Sequence, residues 1–365
     1  MNKTSMKIGV IGCGMISDWY FKAAKRFKQM DIICCGDLRE ESAVKQGAEY
    51  NIPVKNVEDI YTDPEVELIL NLTPQQAHYA VSKRALECGK HVYSEKPLCG
   101  TMEEAEELMK LAESKGLQIA AAPDTFLGGG PQTVRKLVDE GWIGKVFAGT
   151  AMFTSRGPET WPHAPAFYKK GAGPMLDYAP YFITQLVNVL GPAVAVTASV
   201  TKGSESRVGG PETVPHVYPV EVPTFQSGII EFASGAQITV IASYDVWRGT
   251  HPYIELYGTK GSLNMHNPNF FGGFIKVFRP GYEGWQEVPS AFDYNTDARS
   301  IGVADMIEGI LTGRKTRVSG ALSQHVLEIM LSFEKSSNEG KKIYLKTTCE
   351  QPAPMVQVSE DGKFE

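Results

Sequence analysis

MKIGVIGCGMIS, residues 6–17, decides how the chain folds. Six mainly apolar residues read as a buried strand, and Gly12, Gly14 and Ser17 then fall at the G-x-G-x-x-(small) positions as a helix opens. Each small residue has its own task. Gly12 permits the tight turn, Gly14 lets the backbone approach a pyrophosphate, and Ser17 allows the helix to pack closely on the strand, while the exposed helix N–H groups receive the anion. A glycine triplet alone is often only a turn. Asp37 changes the weighting: it ends the next strand-like run, DIICCGD, at about the 20-residue offset where a carboxylate accepts hydrogen bonds from an adenosine ribose. That carboxylate repels a 2′-phosphate and favours NAD over NADP. Arg39, two places on, reads either as a phosphate or adenine contact or as a surface charge beside Glu40 and Glu41.

Outward from this loop, short β-rich runs (MKIGVI, DIICCG, VELILN, HVYS, LQIAAA) alternate with helical segments as far as Pro123, the pattern of a doubly wound parallel α/β sheet. Thr101 and Glu104 form a capping box at the head of one helix, Gly116 closes it, and Gly89 ends the helix that begins near Gln75. Beyond Pro123 the grammar changes. GGGP (128–131) opens a further helix, FAGTAMFT starts a new strand, and residues 192–201, 224–232, 236–245, 254–257, 262–265 and 274–279 read as strands. Turn pairs such as Ser234-Gly235 and Lys260-Gly261 imply antiparallel neighbours. The expected organisation is therefore a Rossmann domain over 1–123 and an α+β domain with a large, mainly antiparallel open sheet over 124–346. Helices near 297–312 and 319–338 cover that sheet or pack back on the first domain, and a loose polar tail runs over 347–365.

A length of 365 residues suits two domains, and 42% hydrophobic with 21% charged residues is the balance of an ordinary globular protein. Lys and Arg number 36 against 42 Asp and Glu, a net charge of −6 that offers no basic field to nucleic acid or anionic lipid. The six cysteines lack CxxC spacing and accompanying histidines, so neither a zinc site nor any other metal is expected, and they read as small buried hydrophobes. With no secretory-type N-terminus and no stretch of about 20 apolar residues, a cytoplasmic location is the expectation.

The run LILNLTPQQAHYAVSKRALECGKHVYSEKPL, together with GAGPMLDYAPYFITQLVNVLGP and IELYGTKGSL, resembles the family of glucose-fructose oxidoreductase and myo-inositol dehydrogenase over essentially the whole chain. The resemblance implies a nicotinamide cofactor, NAD or else NADP, lying along Gly12, Gly14, Met15, Ile16, Asp37, Leu38 and Arg39. It adds Asn71, Leu72, Thr73, Pro74 and His78, and sets Glu95, Lys96 and Pro97 beside the nicotinamide. In an open parallel sheet ligands bind at the carboxyl ends of strands, where residues 95–97 fall. Removing a hydride from a secondary alcohol builds negative charge on its oxygen, and the Lys96 ammonium is suited to stabilise that charge and to relay the proton. The implied activity is hydride transfer between the nicotinamide and a secondary hydroxyl of a sugar, polyol or sugar derivative, by a homodimer or homotetramer.

The second catalytic cluster departs from the family pattern Asp-x-Gly-x-His-x-x-Asp: this chain has Asp177, Ala179, Tyr181 and Thr184, so tyrosine replaces the usual histidine base. Pro180 is tolerated only in a first helical turn, so the helix is expected to begin near Asp177, which then reads as an N-cap, a substrate ligand or both. Tyr181 reads as an acid–base group or as a hydrogen-bonding contact. A replacement base is available in His163, within SRGPETWPHAPAFYKKGAG, where Trp161, Phe167 and Tyr168 offer flat faces for sugar C–H edges and Arg156 a charge. Two other activities are compatible with the missing histidine: a lyase or glycosidase that oxidises its sugar only transiently, and a non-catalytic dinucleotide sensor, which the retained Lys96 disfavours.

Overall fold

Five strands, β1 (Met6–Ile11), β2 (Met30–Gly36), β3 (Leu68–Asn71), β4 (His91–Ser94) and β5 (Ile119–Ala121), pair in parallel in the order β2-β1-β3-β4-β5. Their side chains are almost wholly enclosed, Ile8, Val10, Leu68, Ile69, Leu70 and Val92 at 0% exposure, because helices cover both faces. These helices are α1 (Met15–Ala24), α2 (Glu40–Tyr50), α3 (Val57–Thr62), α4 (His78–Glu87) and α5 (Met102–Ser114). The chain leaves β1 for β2 on one side and takes β3 on the other, so strand order reverses at the carboxyl end of β1, the place where such sheets bind ligands. Local signals hold. Thr101 and Glu104 form the capping box of α5, and Gly89 and Gly116 carry the positive φ of helix ends.

Residues 3–357 and 362–364 are described by a computed structural model, and the chain divides into two compact units. The first comprises Met1–Leu127, Thr296–Gln324 and Met355–Glu365; the second, Gly128–Asn295 and His325–Pro354. The single crossing expected at residue 123 thus misses a return. α9 (Ile301–Thr312) belongs to the first unit because Asp124 accepts hydrogen bonds from the N–H groups of Ser300 and Gly302, both at 3.0 Å, and Arg26 reaches the Asp297 carbonyl at 3.2 Å. Nor is the tail loose throughout. Met355 and Phe364 are buried at 5% and 2% exposure, and Arg317, itself paired with the buried Asp305, donates to the Phe364 carbonyl.

The second unit is built on a nine-stranded sheet. Its strands are β6 (Val146–Thr154), β7 (Ala193–Thr201), β10 (Phe225–Phe232), β11 (Gln237–Ser243), β12 (Ile254–Gly258), β13 (Gly261–Met265), β14 (Ile275–Phe278), β15 (Gln286–Glu287) and β16 (Ile343–Tyr344), in the order β15-β14-β13-β12-β6-β11-β10-β7-β16. All neighbours are antiparallel except β6 and β11. A hairpin that the sequence did not disclose, β8 (Ser206–Val208) with β9 (Val217–Pro219), interrupts the passage from β7 to β10. α6 (Gly129–Asp139), α7 (Pro174–Asp177) and α8 (Ala179–Leu190) belong to this unit, as does α10 (Gly320–Glu339) after its first residues. Asp177 does not begin the long helix: it ends α7, and Tyr178 is the N-cap of α8 with Pro180 in the first turn, so one non-helical residue separates two helices where one was expected. Among the described residues no helix is long and apolar enough to cross a membrane.

Candidate functional site

In the first unit the site grows from the end of β1. Gly12 has φ +101°, and a Cβ there would stand 2.5 Å from the Leu72 carbonyl carbon and 2.7 Å from the Thr73 nitrogen, so only glycine fits. At Gly14 a Cβ would meet nothing within 4 Å. Gly14 is also the N-cap of α1 and offers no side-chain cap, so the space above it and the first helix N–H groups remain for an anion. Ser17 is buried at 0% exposure, its hydroxyl donating to the Gly14 carbonyl at 2.6 Å. Met15 is exposed and Ile16 half-buried at the same helix end.

Asp37 faces this loop. Oδ2 accepts the Cys13 N–H and Oδ1 the Arg39 N–H, each at 2.8 Å, which fixes the carboxylate. A carboxylate has about four lone-pair sites, so two remain for ribose hydroxyls. Leu38 is 94% exposed, and the Arg39 side chain is 70% exposed with Nε 4.0 Å from Asp37. A groove lined by Cys13, Gly14, Met15, Arg39, Ser42 and Lys45 runs beside them. Ser42 and Lys45 were not foreseen; their three-residue steps from Arg39 along α2 were the available signal. The open Gly14, the uncapped helix and the fixed carboxylate together fit a dinucleotide.

Two expected cofactor contacts turn inward instead. Asn71 is 0% exposed: its amide donates to the His78 carbonyl and to Ser82 Oγ, both at 3.1 Å, and its Oδ1 accepts from Thr73. His78 is 1% exposed, Nδ1 lying 2.6 Å from the Pro97 carbonyl and Nε2 2.9 Å from that of Thr73. Burial lowers its pKa. The side chains of both residues therefore brace the backbone of 71–74 and 97, and Leu72 is buried at 3% against Gly12. Thr73, half-buried, and Pro74, exposed, are the members of that segment at the surface.

The same bracing reaches Lys96. Glu95 donates its N–H to the Asn71 carbonyl at 2.8 Å, Oε2 accepts the Lys96 N–H at 3.0 Å, and Oε1 accepts the Tyr20 hydroxyl at 2.8 Å. Tyr20 is wholly buried in α1, and burial followed by the charge of Glu95 holds its phenol well above the usual pKa, so it stays a donor. Lys96 itself is half-buried, and the Lys96–Pro97 peptide is cis. Glu95 thus shapes the turn that carries Lys96, and does so through a tyrosine that no motif announced.

Asp124 completes the buried polar group behind this turn. Burial pushes its carboxyl up to about 6, against the Gly302 and Ser300 N–H bonds that pull it down. Between its ordinary 3.8 and that raised value the folded state holds more protons than the unfolded state, so this residue's contribution to stability falls as pH rises through that window and is flat above it. Asp124→Asn removes the effect. Chemical denaturation of both proteins is expected to show the variant gaining about 3 kcal/mol on the native protein between about pH 3 and about pH 7; parallel pH curves contradict the assignment.

In the second unit Asp177 Oδ2 accepts the hydroxyl of Tyr244, which is wholly buried and whose phenol burial holds well above its usual pKa. Tyr178 stacks on Phe153 with ring centroids 3.7 Å apart, and Tyr181, half-buried, meets Tyr178 edge-on at 5.7 Å. His163 is exposed, and its described contacts are the rings of Trp161 at 5.7 Å and Phe167 at 5.8 Å. Among the described residues no hydrogen bond or ring contact joins it to Asp177 or Tyr181. Tyr168, expected as a sugar platform, is instead enclosed at 0% exposure beneath Arg207 and against Tyr218 and Tyr244. Arg156 stacks on Trp247 at 4.6 Å and pairs with Glu159 at 3.3 Å. Among the described residues the cysteines are unbridged, all buried but the half-buried Cys88, and no cluster suits a metal ion.

Comparison with known proteins places the chain in a family. A family model described as an oxidoreductase family with an NAD-binding Rossmann fold matches residues 6–122, and the GFO/IDH/MocA C-terminal domain matches residues 132–264. The chain is 26% identical to scyllo-inositol 2-dehydrogenase (NADP(+)) IolW of Bacillus subtilis over 94% of its length and 96% of that protein's. It is 29% identical to the uncharacterized oxidoreductase C115.03 of Schizosaccharomyces pombe over 57% of its length, and spans about half, 55%, of that relative. In fold it is similar to a levoglucosan dehydrogenase solved with NADH and L-sorbose, at a TM-score of 0.80 and 21% identity, covering 94% of this chain and 100% of that one. With both halves matched and the dinucleotide loop formed as its sequence demands, the chain belongs to the Gfo/Idh/MocA family of NAD(P)-dependent oxidoreductases.

Proposed function

We propose that the protein moves a hydride between a nicotinamide dinucleotide, NAD in preference to NADP, and a secondary hydroxyl of a sugar, polyol or sugar derivative. The observation that carries this reading is the presentation of Lys96 on a turn braced by Glu95, Tyr20, Asn71 and His78, at the strand ends that also carry the Gly12–Gly14 loop and Asp37. In that unit the backbone around Cys13–Gly14 and the first turn of α1 hold the pyrophosphate, Asp37 holds the ribose, and Thr73, Pro74 and Pro97 flank the nicotinamide end. When bound, the nicotinamide accepts or returns the hydride. Lys96 stabilises the alkoxide charge at the substrate oxygen and holds or passes on its proton at Nζ. In the second unit Asp177, oriented by Tyr244, accepts a hydrogen bond from a substrate hydroxyl, and Tyr181 shares the proton in place of the family's histidine. His163, whose described side-chain contacts are aromatic rings, has the weaker claim to that role.

A second copy of the chain on the open face of the large sheet, where Thr197, Ile229, Thr239 and Thr150 form a cross-strand row, belongs to the same reading. The enzymatic test is nicotinamide absorbance against a panel holding scyllo-inositol, myo-inositol, levoglucosan, D-xylose and L-sorbose, with each dinucleotide in both directions. Reduction of NAD by a cyclic polyol or sugar, at lower kcat/KM with NADP, supports the proposal. Release of a glycosidic substituent without net NADH moves the protein to transient oxidation.

A further inference from the structure

The residue between the two helices deserves a function of its own. Tyr178 occupies the single non-helical position that joins α7 to α8, its N–H donating to the Pro174 carbonyl at 3.0 Å. Its ring is fixed: it lies parallel to Phe153, interplanar angle 11°, with Tyr181 and Phe182 against it at 5.7 Å and 6.3 Å. Its hydroxyl oxygen is fixed as well. Asn267 Nδ2 donates to it at 3.3 Å and Asn269 Nδ2 at 3.2 Å. The direction of the Asn267 amide is set independently, because its Oδ1 accepts the Asn269 N–H at 3.0 Å, leaving Nδ2 to face the phenol.

A phenol oxygen accepts through two lone pairs and donates one proton. With both lone pairs at Tyr178 taken by amide N–H groups, what remains is the O–H, and among the described residues it is given no acceptor. Asp177, next in the chain, is an acceptor held by Tyr244, and Tyr244 and Tyr178 pack on the same Phe153 ring, at 6.1 Å and 3.7 Å. A donor at Tyr178 and an acceptor at Asp177, the preceding residue of the chain, with aromatic rings against the Tyr178 ring, match the alternating polarity of a polyol.

We infer that Tyr178 is a specificity-determining contact, a neutral hydrogen-bond donor fixed by Asn267 and Asn269 that takes one hydroxyl or ether oxygen of the carbohydrate. The inference rests on the proposed carbohydrate substrate but not on the redox step. Its energetic weight is that of a neutral hydrogen bond, so loss of the donor weakens binding about threefold to tenfold.

Calorimetric titration of the NAD-loaded protein with scyllo-inositol and with levoglucosan reads this without turnover. Tyr178→Phe keeps the ring stack and is expected to weaken the better-bound of the two about threefold to tenfold, raising KM where turnover is measurable and leaving kcat and NAD affinity unchanged. Asn267→Asp is the companion variant: it keeps the Oδ1 acceptor but replaces the Nδ2 donor with an oxygen that captures the phenol proton, so it should weaken the same sugar although Tyr178 is intact. Unchanged affinity in a folded Tyr178→Phe, or in Asn267→Asp should the first variant fail to fold, overturns the contact and leaves the dehydrogenase proposal standing. Sugar binding that depends on Tyr178 with no reduced dinucleotide fails the redox reading and keeps the contact. No binding of either sugar by the native protein overturns the contact.

Discussion

Lys96→Met is expected to lower kcat by about 10²- to 10⁴-fold, the range over which a positioned acid–base group acts, while NAD affinity and the unfolding midpoint stay close to native values. Methionine keeps most of the aliphatic stem and removes the charge. The backbone of the turn has supports of its own: Glu95 is held by Tyr20 and by the Asn71 carbonyl, and the Lys96 backbone N–H is bound to Glu95 Oε2. What the variant loses is the ammonium at the developing alkoxide, together with the carrier of its proton. Steady-state kinetics alongside a calorimetric NAD titration separate the two effects. Turnover within tenfold of native removes Lys96 from the chemistry; loss of NAD binding instead makes it a cofactor ligand.

The two loop glycines should fail in opposite ways. Gly12→Ala places a Cβ 2.5 Å from the Leu72 carbonyl carbon and 2.6 Å from its oxygen, at a φ of +101°. Backbone cannot step aside as a side chain does, so backbone strain of about 1–3 kcal/mol joins an overpacking cost of about 1–3 kcal/mol, and the variant should unfold earlier or accumulate poorly. Gly14→Ala meets nothing within 4 Å and has an ordinary φ of −81°. Its stability should fall by no more than about 1 kcal/mol, the cost of alanine in place of glycine at an N-cap, while NAD affinity falls about tenfold or more, equivalent to about 1.4 kcal/mol, because the new methyl occupies the space kept for the pyrophosphate. Denaturation curves and NAD titrations on both variants check this. Native NAD affinity in Gly14→Ala would show that the open space serves something else.

The parts legible in the sequence were those governed by local backbone demands. Gly12 announces a positive φ, Thr101 and Glu104 a helix start, and the apolar runs at β1, β3 and β4 a sheet buried on both faces. The place of Asp37 beside the glycine loop was legible because it follows from an offset along one βαβ unit. Residues at strand ends were read less well, since sequence offset does not say which way a side chain turns: Asn71 and His78 point inward to hold 71–74 and Pro97, though the resemblance placed them on the cofactor. Tyr20 and Asp124 escaped notice because each acts from a different element on the turn at Glu95 or on the start of α9, a juxtaposition only the fold creates. The return of α9 to the first unit has the same origin, for an apolar helical pattern shows that a helix is buried and not against what. At Asp177 the proline rule rightly required a helix start close by but put it one residue early, and the break at Tyr178 was the outcome.

The central claim is that a carbinol hydrogen travels as hydride to the nicotinamide, and isotope transfer tests it most directly. The first carbohydrate found to be turned over is supplied with deuterium on its carbinol carbons, and the recovered dinucleotide and sugar are weighed by mass spectrometry. One deuterium in the reduced dinucleotide, matched by a ketone or lactone product one deuterium lighter, is the predicted result. Product formed with the deuterium retained on its original carbon, and none on the nicotinamide at any stage of a single turnover, contradicts it.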